Sequence, residues 1–235
     1  MKDADNIHPL DPFSRRALRH HVVQCLLKAI IQGELGAGTR LITNKLAIQL
    51  GVSATPLREA LVELEQSGIV ELLHHRGALV KPFGRAELRD FYAVRRLLEC
   101  EAVRLACGHV DDELLSLLRC DLERLLVESG ESHEKWVADW TALDQRIHSM
   151  PVEHCSNKRL IAEIERYATL GQTMRDIGHY DRARHQESAA PLLELLDAMQ
   201  EHRTEAGADA MGRHITIVAA MIETVIFDGK KHQVT

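Results

Sequence analysis

The amino-acid sequence has few aromatic residues, no paired cysteine motif and no long apolar run. Phe, Trp and Tyr make up 4% of the 235 residues, so Leu, Ile, Val and Ala must form most of the core, which favours helices over strands. Five cysteines without a Cys-x-x-Cys pair argue against a disulfide framework or a zinc ribbon and are typical of a reducing cytoplasm. No apolar stretch reaches the ~18 residues of a membrane span, and the acidic N-terminus lacks the apolar segment of a secretory signal, so we expect no membrane partner.

The formal net charge of −6 is unevenly distributed along the chain. Residues 14–85 contain ten Lys or Arg against five Asp or Glu, whereas residues 86–235 contain 18 against 27. A basic segment beside an acidic remainder is typical of a chain in which one part meets a polyanion. Apolar residues at 45% and charged residues at 27% indicate a globular protein.

The spacing of apolar residues predicts three helices in the first part of the chain. Apolar positions recur with a period near 3.6 over residues 22–31. Thr43 is expected to cap a second helix that stops at Gly51. Ser53 or Thr55 caps a third helix, and so short a turn between two helices is typical of a helix-turn-helix. The expected inner faces of the second and third helices are Leu46, Ala47 and Leu50, and Leu57, Ala60, Leu61 and Leu64.

A two-stranded hairpin is predicted after the third helix, with strands at residues 69–73 and 78–80. A hairpin directly behind a helix-turn-helix is a wing. Pro151 is expected to end the third of six further helices, placed near 86–108, 112–129, 133–150, 157–177, 183–202 and 204–228. We therefore expect a mainly α chain, with a winged helix-turn-helix domain over residues 14–85 and an all-α helical-bundle domain over residues 86–228.

The first of these domains carries a specific sequence pattern. Its residues are Ile31-Gln32-Gly33-Glu34-Leu35, Gly38-Thr39-Arg40-Leu41, Leu46-Ala47, Leu50-Gly51-Val52-Ser53, Thr55-Pro56, Arg58-Glu59-Ala60-Leu61 and Gly68-Ile69-Val70. This pattern resembles the winged helix of GntR-family transcription regulators. The resemblance implies a cytoplasmic DNA-binding regulator and not an enzyme. Because one recognition helix makes too few base contacts for specific binding, we expect a homodimer on a pseudo-palindromic double-stranded operator.

The recognition helix would place Arg58 on the face opposite its buried stripe, where a guanidinium group can contact a guanine. Further contacts with phosphates or the minor groove are expected from Arg40, Lys45, Ser53, Thr55, His75, Arg76 and Gly77. The family usually has Arg after Ser53, where this chain has Ala54. Either the operator differs at this position or the affinity is lower, and Ala54 could instead contact a thymine methyl group.

The second domain resembles the FCD domain, the all-α effector domain of the FadR subfamily. The matching residues are Tyr92-Ala93-Val94-Arg95-Arg96-Leu97-Leu98-Glu99, Asp144-x-x-Ile147-His148, Asn157-x-x-Leu160 and Met211-x-x-His214-Ile215. Asp144 and His148 are four residues apart, on one helical face, and could share one divalent cation of the Zn²⁺ or Ni²⁺ class with His214. The resemblance implies a further His ligand 22 residues before His214, but Leu192 stands there, and His185 is two helical turns, roughly 10 Å, from that position.

Several interpretations of this second domain stay open. Asp144, His148 and His214 could hold a metal together with water or an effector carboxylate, form hydrogen bonds in a metal-free pocket, or be ordinary structural residues. Arg95 and Arg175 could neutralise an organic-acid effector, although an Arg95–Glu99 ion pair is an equal alternative. The competing functions are a helical metal-dependent enzyme that activates water, and a structural nucleic-acid-binding protein with a vestigial pocket.

Overall fold

A computed structural model describes residues 12–74, 76–127, 132–177 and 182–228, with the side chains of residues 12–16 and 182–184 left aside. The chain is mainly helical and divides between Phe83 and Gly84 into two compact units. The predicted fold class, a winged helix-turn-helix followed by a helical domain, is confirmed by this order of elements.

The first unit contains α1 (Pro12–Ile31), β1 (Arg40–Leu41), α2 (Thr43–Leu50), α3 (Ala54–Gln66), β2 (Val70–Leu73) and β3 (Gly77–Val80). Helix α1 begins well before the predicted start at Val22, because its first turns contain good helix formers without forming an apolar stripe. Arg19 in those turns pairs with Glu63 of α3 at 3.3 Å, which joins the two helices.

Two details of the short helix α2 differ from the prediction. Thr43 is its first residue and not its cap, because Ile42 occupies the N-cap position and has no side-chain oxygen. Leu50 is 36% exposed, so it does not belong to the inner face. The helix has only eight residues and stops at Gly51, whose φ of 65° turns the chain away before Leu50 can pack on the core. Ser53 is the N-cap residue of α3, although its hydroxyl makes no capping bond.

The wing belongs to a three-stranded antiparallel sheet in the order β1-β3-β2, and not to a two-stranded hairpin. Arg40 pairs with Leu79 and Leu41 with Ala78. Strand β1 was missed because two residues are too few to show an alternating pattern. A Cβ added to Gly77 would lie 1.9 Å from the carbonyl oxygen of Leu41, and the φ of Gly77 is +89°, so this position requires glycine.

The second unit consists of α4 (Arg85–Ala106), α5 (Asp112–Val127), α6 (His133–His154), α7 (Lys158–Ile177), α8 (Arg182–Gln200) and α9 (Thr204–Phe227). The predicted end of α6 at Pro151 is wrong, because the helix continues to His154. A proline in the last turn removes only one N–H bond, so it does not terminate the helix by itself. Asn157 then caps α7, since its side-chain oxygen accepts from the N–H groups of Arg159 and Leu160 at 3.1 Å each.

Helix α9 packs against both α4 and α8, while α6 and α7 pack on α4. Small residues permit this close packing: a Cβ on Gly212 would lie 3.3 Å from Cys100 Sγ of α4. Among the described helices, α9 alone is long and apolar enough to cross a membrane, with a mean hydropathy of 1.4. Half of that apolar window is buried inside the unit, and buried core helices meet the same criterion.

Candidate functional site

A concave surface enclosing about 900 Å³ lies on the first unit, lined by α2, α3 and the sheet. Arg40, Arg58 and Arg76 all line it, together with Gly77. Among the residues that the structure describes, the guanidinium groups of these three arginines have no ion-pair or hydrogen-bond partner. Three uncompensated cations facing one concavity produce a positive field that suits a polyanion.

The remaining predicted DNA-contact residues do not all line this concave surface. Lys45, Ser53 and Thr55 are exposed but do not line the concave surface, and His75 lies outside the described residues. Several lining residues were not predicted as DNA contacts, among them Asn44 and Val62. Asn44 could have been found as a polar residue in the first turn of the helix before the recognition helix. The exposure of Val62, at 42%, becomes visible only when α3 is seen packed.

The three predicted metal ligands meet in the second unit. Asp144 and His148 on α6 and His214 on α9 each offer one ligand-type atom, and these atoms lie within 4.8 Å of one another. Nε2 of His214 is 3.2 Å from Oδ1 of Asp144, and Nε2 of His148 is 3.6 Å from the same oxygen. All three residues are buried.

The outer nitrogens of both histidines are engaged by acceptors. Nδ1 of His214 donates to the carbonyl oxygen of Ser188 at 2.8 Å, because a carbonyl can only accept. Nδ1 of His148 contacts the Glu99 carboxylate, which can only accept, so Nδ1 carries the ring proton and donates it. Nη2 of Arg95 is also 3.2 Å from this nitrogen. When these imidazoles are neutral, the remaining lone pair, on Nε2, is directed towards Asp144. Metal-binding histidines commonly have this outer hydrogen bond, so the cluster fits a divalent cation.

Charge and burial together set the protonation of this cluster. Burial raises the pKa of Glu99, but the charges and hydrogen bonds of Arg95 and His148 outweigh it and hold that pKa at about 2. Burial likewise raises the pKa of Asp144, yet the neighbouring His148, His214 and Arg175 hold it well below its usual range. The pKa of His148 is lowered mainly by burial, which favours its neutral, metal-binding form.

A cavity of about 240 Å³ lies beside the cluster, between α4, α6 and α7. Its charged and polar lining includes Arg95, Glu99, His148 and Arg175, whereas Asp144 and His214 do not reach it. Its apolar lining includes Leu98, Val152, Ile164 and Ala168. A mostly apolar cavity with a few convergent polar groups is typical of a small-molecule site.

The two arginines proposed for an effector differ in their surroundings. Nε of Arg95 donates to the Glu99 carboxylate, so the ion pair considered as an alternative is present. Nε of Arg175 has no hydrogen-bond partner in the part of the chain that is described, and it lies 3.6 Å from Oδ2 of Asp144. Burial and the charge of Arg95 lower the pKa of Arg175.

His185 lies closer to this region than its distance from Leu192 along α8 suggested. His185, Asp144 and Arg175 line one small cavity of about 20 Å³, and the His185 ring packs on Trp140 with centroids 5.1 Å apart. The seven residues along α8 separate His185 from Leu192, and they do not determine the distance between His185 and Asp144. Leu192 itself is fully buried and lies one helical turn after Ser188, whose carbonyl oxygen accepts the hydrogen bond from His214.

Comparisons with known proteins agree with this arrangement of two units. Residues 18–80 match the family described as bacterial regulatory proteins, gntR family, and residues 90–216 match the FCD domain. The Nta operon transcriptional regulator of Aminobacter aminovorans is 35% identical over 127 residues, which span 54% of this chain and 59% of that protein. The transcriptional repressor RspR of Escherichia coli K12 is 21% identical over 224 residues, which span 93% of this chain and 92% of that protein.

A solved structure has the same fold. The structure of E. coli McbR/YncC superimposes with a TM-score of 0.63 at 24% identity, covering 87% of this chain and 96% of that one. Both matched families and these relatives are transcription regulators, so the chain is a regulator and not an enzyme. The resemblance found in the sequence is thereby confirmed. This chain belongs to the GntR family of bacterial transcription regulators, in the group that carries an FCD domain.

Proposed function

We propose that this cytoplasmic regulator binds a pseudo-palindromic operator as a homodimer and responds to a small organic acid with the help of one divalent metal ion. The observation that carries the proposal is the buried convergence of Asp144, His148 and His214 beside a cavity whose lining includes Arg95 and Arg175. The same chain carries the concave surface with its three uncompensated arginines.

DNA binding is assigned to the first unit. Arg58 lies on the exposed side of α3, whose opposite side is buried through Leu57 and Leu61, so its guanidinium can enter a major groove. Arg40 and Arg76 approach from the sheet and supply backbone contacts on either side. A second copy of the chain doubles these contacts, and two-fold protein symmetry requires an operator with matching half-sites.

The second unit is assigned the sensing role. Asp144, His148 and His214 would hold the metal, with Leu192 leaving a position for water or for an oxygen of the effector. A divalent ion of the Zn²⁺ or Ni²⁺ class supplies concentrated positive charge when bound. Arg95 and Arg175 add cationic groups to the adjoining cavity, and its apolar walls can hold the carbon skeleton of an acid.

Three measurements on the full chain test this proposal. Selection from random double-stranded DNA is expected to yield an inverted repeat, and sedimentation of the protein–DNA complex is expected to give two chains per operator. Zn²⁺ or Ni²⁺ together with small carboxylates is expected to raise the melting temperature of the second unit. A selected site without two-fold symmetry would contradict the palindromic operator, and a complex with one chain would contradict the homodimer. A melting temperature that no metal and no acid alters would contradict the sensing role.

A further inference from the structure

Arg95 and Arg175 both approach the same spot in the large cavity. A Cβ placed on Gly171 of α7 would lie 3.8 Å from Nη1 of Arg175 and 3.9 Å from Nη1 of Arg95. Because Gly171 lines the cavity without a side chain, a ligand atom at the Cβ position would lie at van der Waals contact distance from both guanidinium groups and from the Phe91 ring. Two cations that converge on one open space could each bind an anion there, and their other contacts distinguish them.

The charge of Arg95 is already compensated by a carboxylate. Its Nε binds the Glu99 carboxylate, and its guanidinium lies 5.8 Å from the ring centroid of Tyr92. Glu99 in turn holds His148, so Arg95 stabilises the orientation of a histidine in the cluster. An anion bound at Nη1 of Arg95 would meet a guanidinium whose charge Glu99 already compensates, and it would lie near that carboxylate, so it gains less there than at an incompletely compensated cation.

Arg175 is a mostly buried cation, with 14% of its side chain exposed and its Nε without a hydrogen-bond partner among the described residues. Within the described ranges, its hydrogen bond to a side chain goes from Nη2 to the neutral Oε1 of Gln172, at 2.8 Å. Its nearest carboxylate is that of Asp144, but Nε and Oδ2 are 3.6 Å apart and both atoms lack a hydrogen-bond partner within the described residues. Asp144 also faces two imidazoles, so it compensates Arg175 only in part.

We infer that Arg175, and not Arg95, anchors the acid group of the effector. This inference rests on the proposed acid-sensing function and assigns one residue of that site. A carboxylate in the space beside Gly171 gives the guanidinium of Arg175 the charged hydrogen bonds that it lacks, at no expense to an existing pair. Arg95 is a positioning residue, which acts on the metal cluster through Glu99 and His148.

The test compares two matched variants of the full chain, Arg175→Met and Arg95→Met, which remove the charge and keep an apolar stem. Acetate, propionate, succinate and glutarate serve as probes, and binding is measured by calorimetry on chain loaded with Zn²⁺. Arg175→Met is expected to lower the affinity for the probe that binds the native chain most tightly by about tenfold to a hundredfold. Without a probe, its melting temperature is expected to stay equal or rise, because an incompletely paired buried charge is removed.

Arg95→Met is expected to lower the melting temperature of the second unit by about 10 °C, because Glu99 is left buried without its cation. The inference is overturned if Arg175→Met binds the best probe as tightly as the native chain does, or if it does not fold. It is also overturned if Arg95→Met keeps the native melting temperature and loses probe binding. If no probe binds the native chain, the acid-sensing function itself fails, which is a separate result.

Discussion

Nε2 of His214 lies 3.2 Å from Oδ1 of Asp144, and neither atom carries a proton when the imidazole is neutral. Two acceptors this close repel each other unless a proton or a metal cation lies between them. Nδ1 of His214 donates its proton in a hydrogen bond to the carbonyl oxygen of Ser188. The backbone of α8 therefore determines that Nε2 is the nitrogen facing Asp144. This pair is the part of the second unit that most needs a cation.

Leu192→His should raise the affinity for Zn²⁺ or Ni²⁺, because an imidazole would join three ligands that are already oriented. Leu192 lies one turn beyond Ser188 on α8, and Ser188 contacts His214 directly. Competition with a chromogenic chelator measures the affinity. Leu195→His is the matched control, since Leu195 is equally buried but packs beside Gly207.

The gain should disappear when His148→Ala is added to Leu192→His. An equal affinity in the parent and Leu192→His would mean that residue 192 does not face the cluster. Chelator is expected to change the stability of the native chain little, because the six-helix unit has its own apolar core.

Arg58→Ala should cost about 1–3 kcal/mol of operator binding and should flatten the preference for the selected sequence. Lys45→Ala should weaken binding to all DNA sequences by a similar factor. Lys45 is exposed and lies outside the concave surface, and we assign it a contact with the phosphates. Fluorescence anisotropy with selected and scrambled duplexes at two salt concentrations separates these effects. Normal discrimination by Arg58→Ala would show that α3 does not enter the groove as described.

Gly77→Ala should destabilise the first unit by about 3 kcal/mol, because its Cβ would lie 1.9 Å from a backbone oxygen of Leu41 and its φ is left-handed. Gly36→Ala is the matched control, since nothing lies within 4 Å of the added carbon. Urea denaturation followed by circular dichroism measures both variants. Equal stability of the two variants would contradict the packing of β1 against β3.

The stability of the second unit should fall in acid through Glu223. Hydrogen bonds from Arg89 and Arg85 lower the pKa of this carboxyl below its ordinary 4.5. A lowered folded-state pKa stabilises the fold above about pH 4.5, and this contribution is lost as pH falls through the folded pKa.

Glu223→Gln should therefore reduce stability at pH 7 and have little effect near pH 3. Glu165→Gln, at an exposed carboxyl for which no ion pair is found in the described ranges, should have little effect at either pH. Thermal melts at the two pH values and at low salt measure this difference. An effect of Glu223→Gln that does not change between pH 7 and pH 3 would exclude the carboxylate as its cause.

Zn²⁺ and the best carboxylate probe should tighten each other's binding. A metal on Asp144 engages the carboxylate that partly compensates Arg175, so the arginine becomes more available to the acid. Thermodynamic linkage requires the same factor in both directions, commonly about 5- to 150-fold. Calorimetric titrations of metal with and without acid, and of acid with and without metal, check this reciprocity. Independent binding would separate the metal from the sensing role.

Much of this architecture can be predicted from the sequence because it depends on local patterns. The 3.6-residue period of apolar side chains identifies the helices, and the short turn between Gly51 and the cap at Ser53 or Thr55 indicates the helix-turn-helix. The separation of Asp144 and His148 by four residues places them on one helical face without further information. The errors were local as well: the two-residue strand β1 has no readable period, and Pro151 in a last turn does not end its helix.

Tertiary structure alone decided which groups meet. Glu99 and His148 come from different helices, and no spacing rule relates them, yet their contact sets which nitrogen of the histidine faces Asp144. Packing also distinguished Arg95, whose charge is paired with Glu99, from Arg175, whose buried Nε has no hydrogen-bond partner in the described part of the chain. The physical reason is that local geometry acts over one or two turns, whereas burial, charge compensation and hydrogen bonding depend on segments that only the folded chain brings into contact.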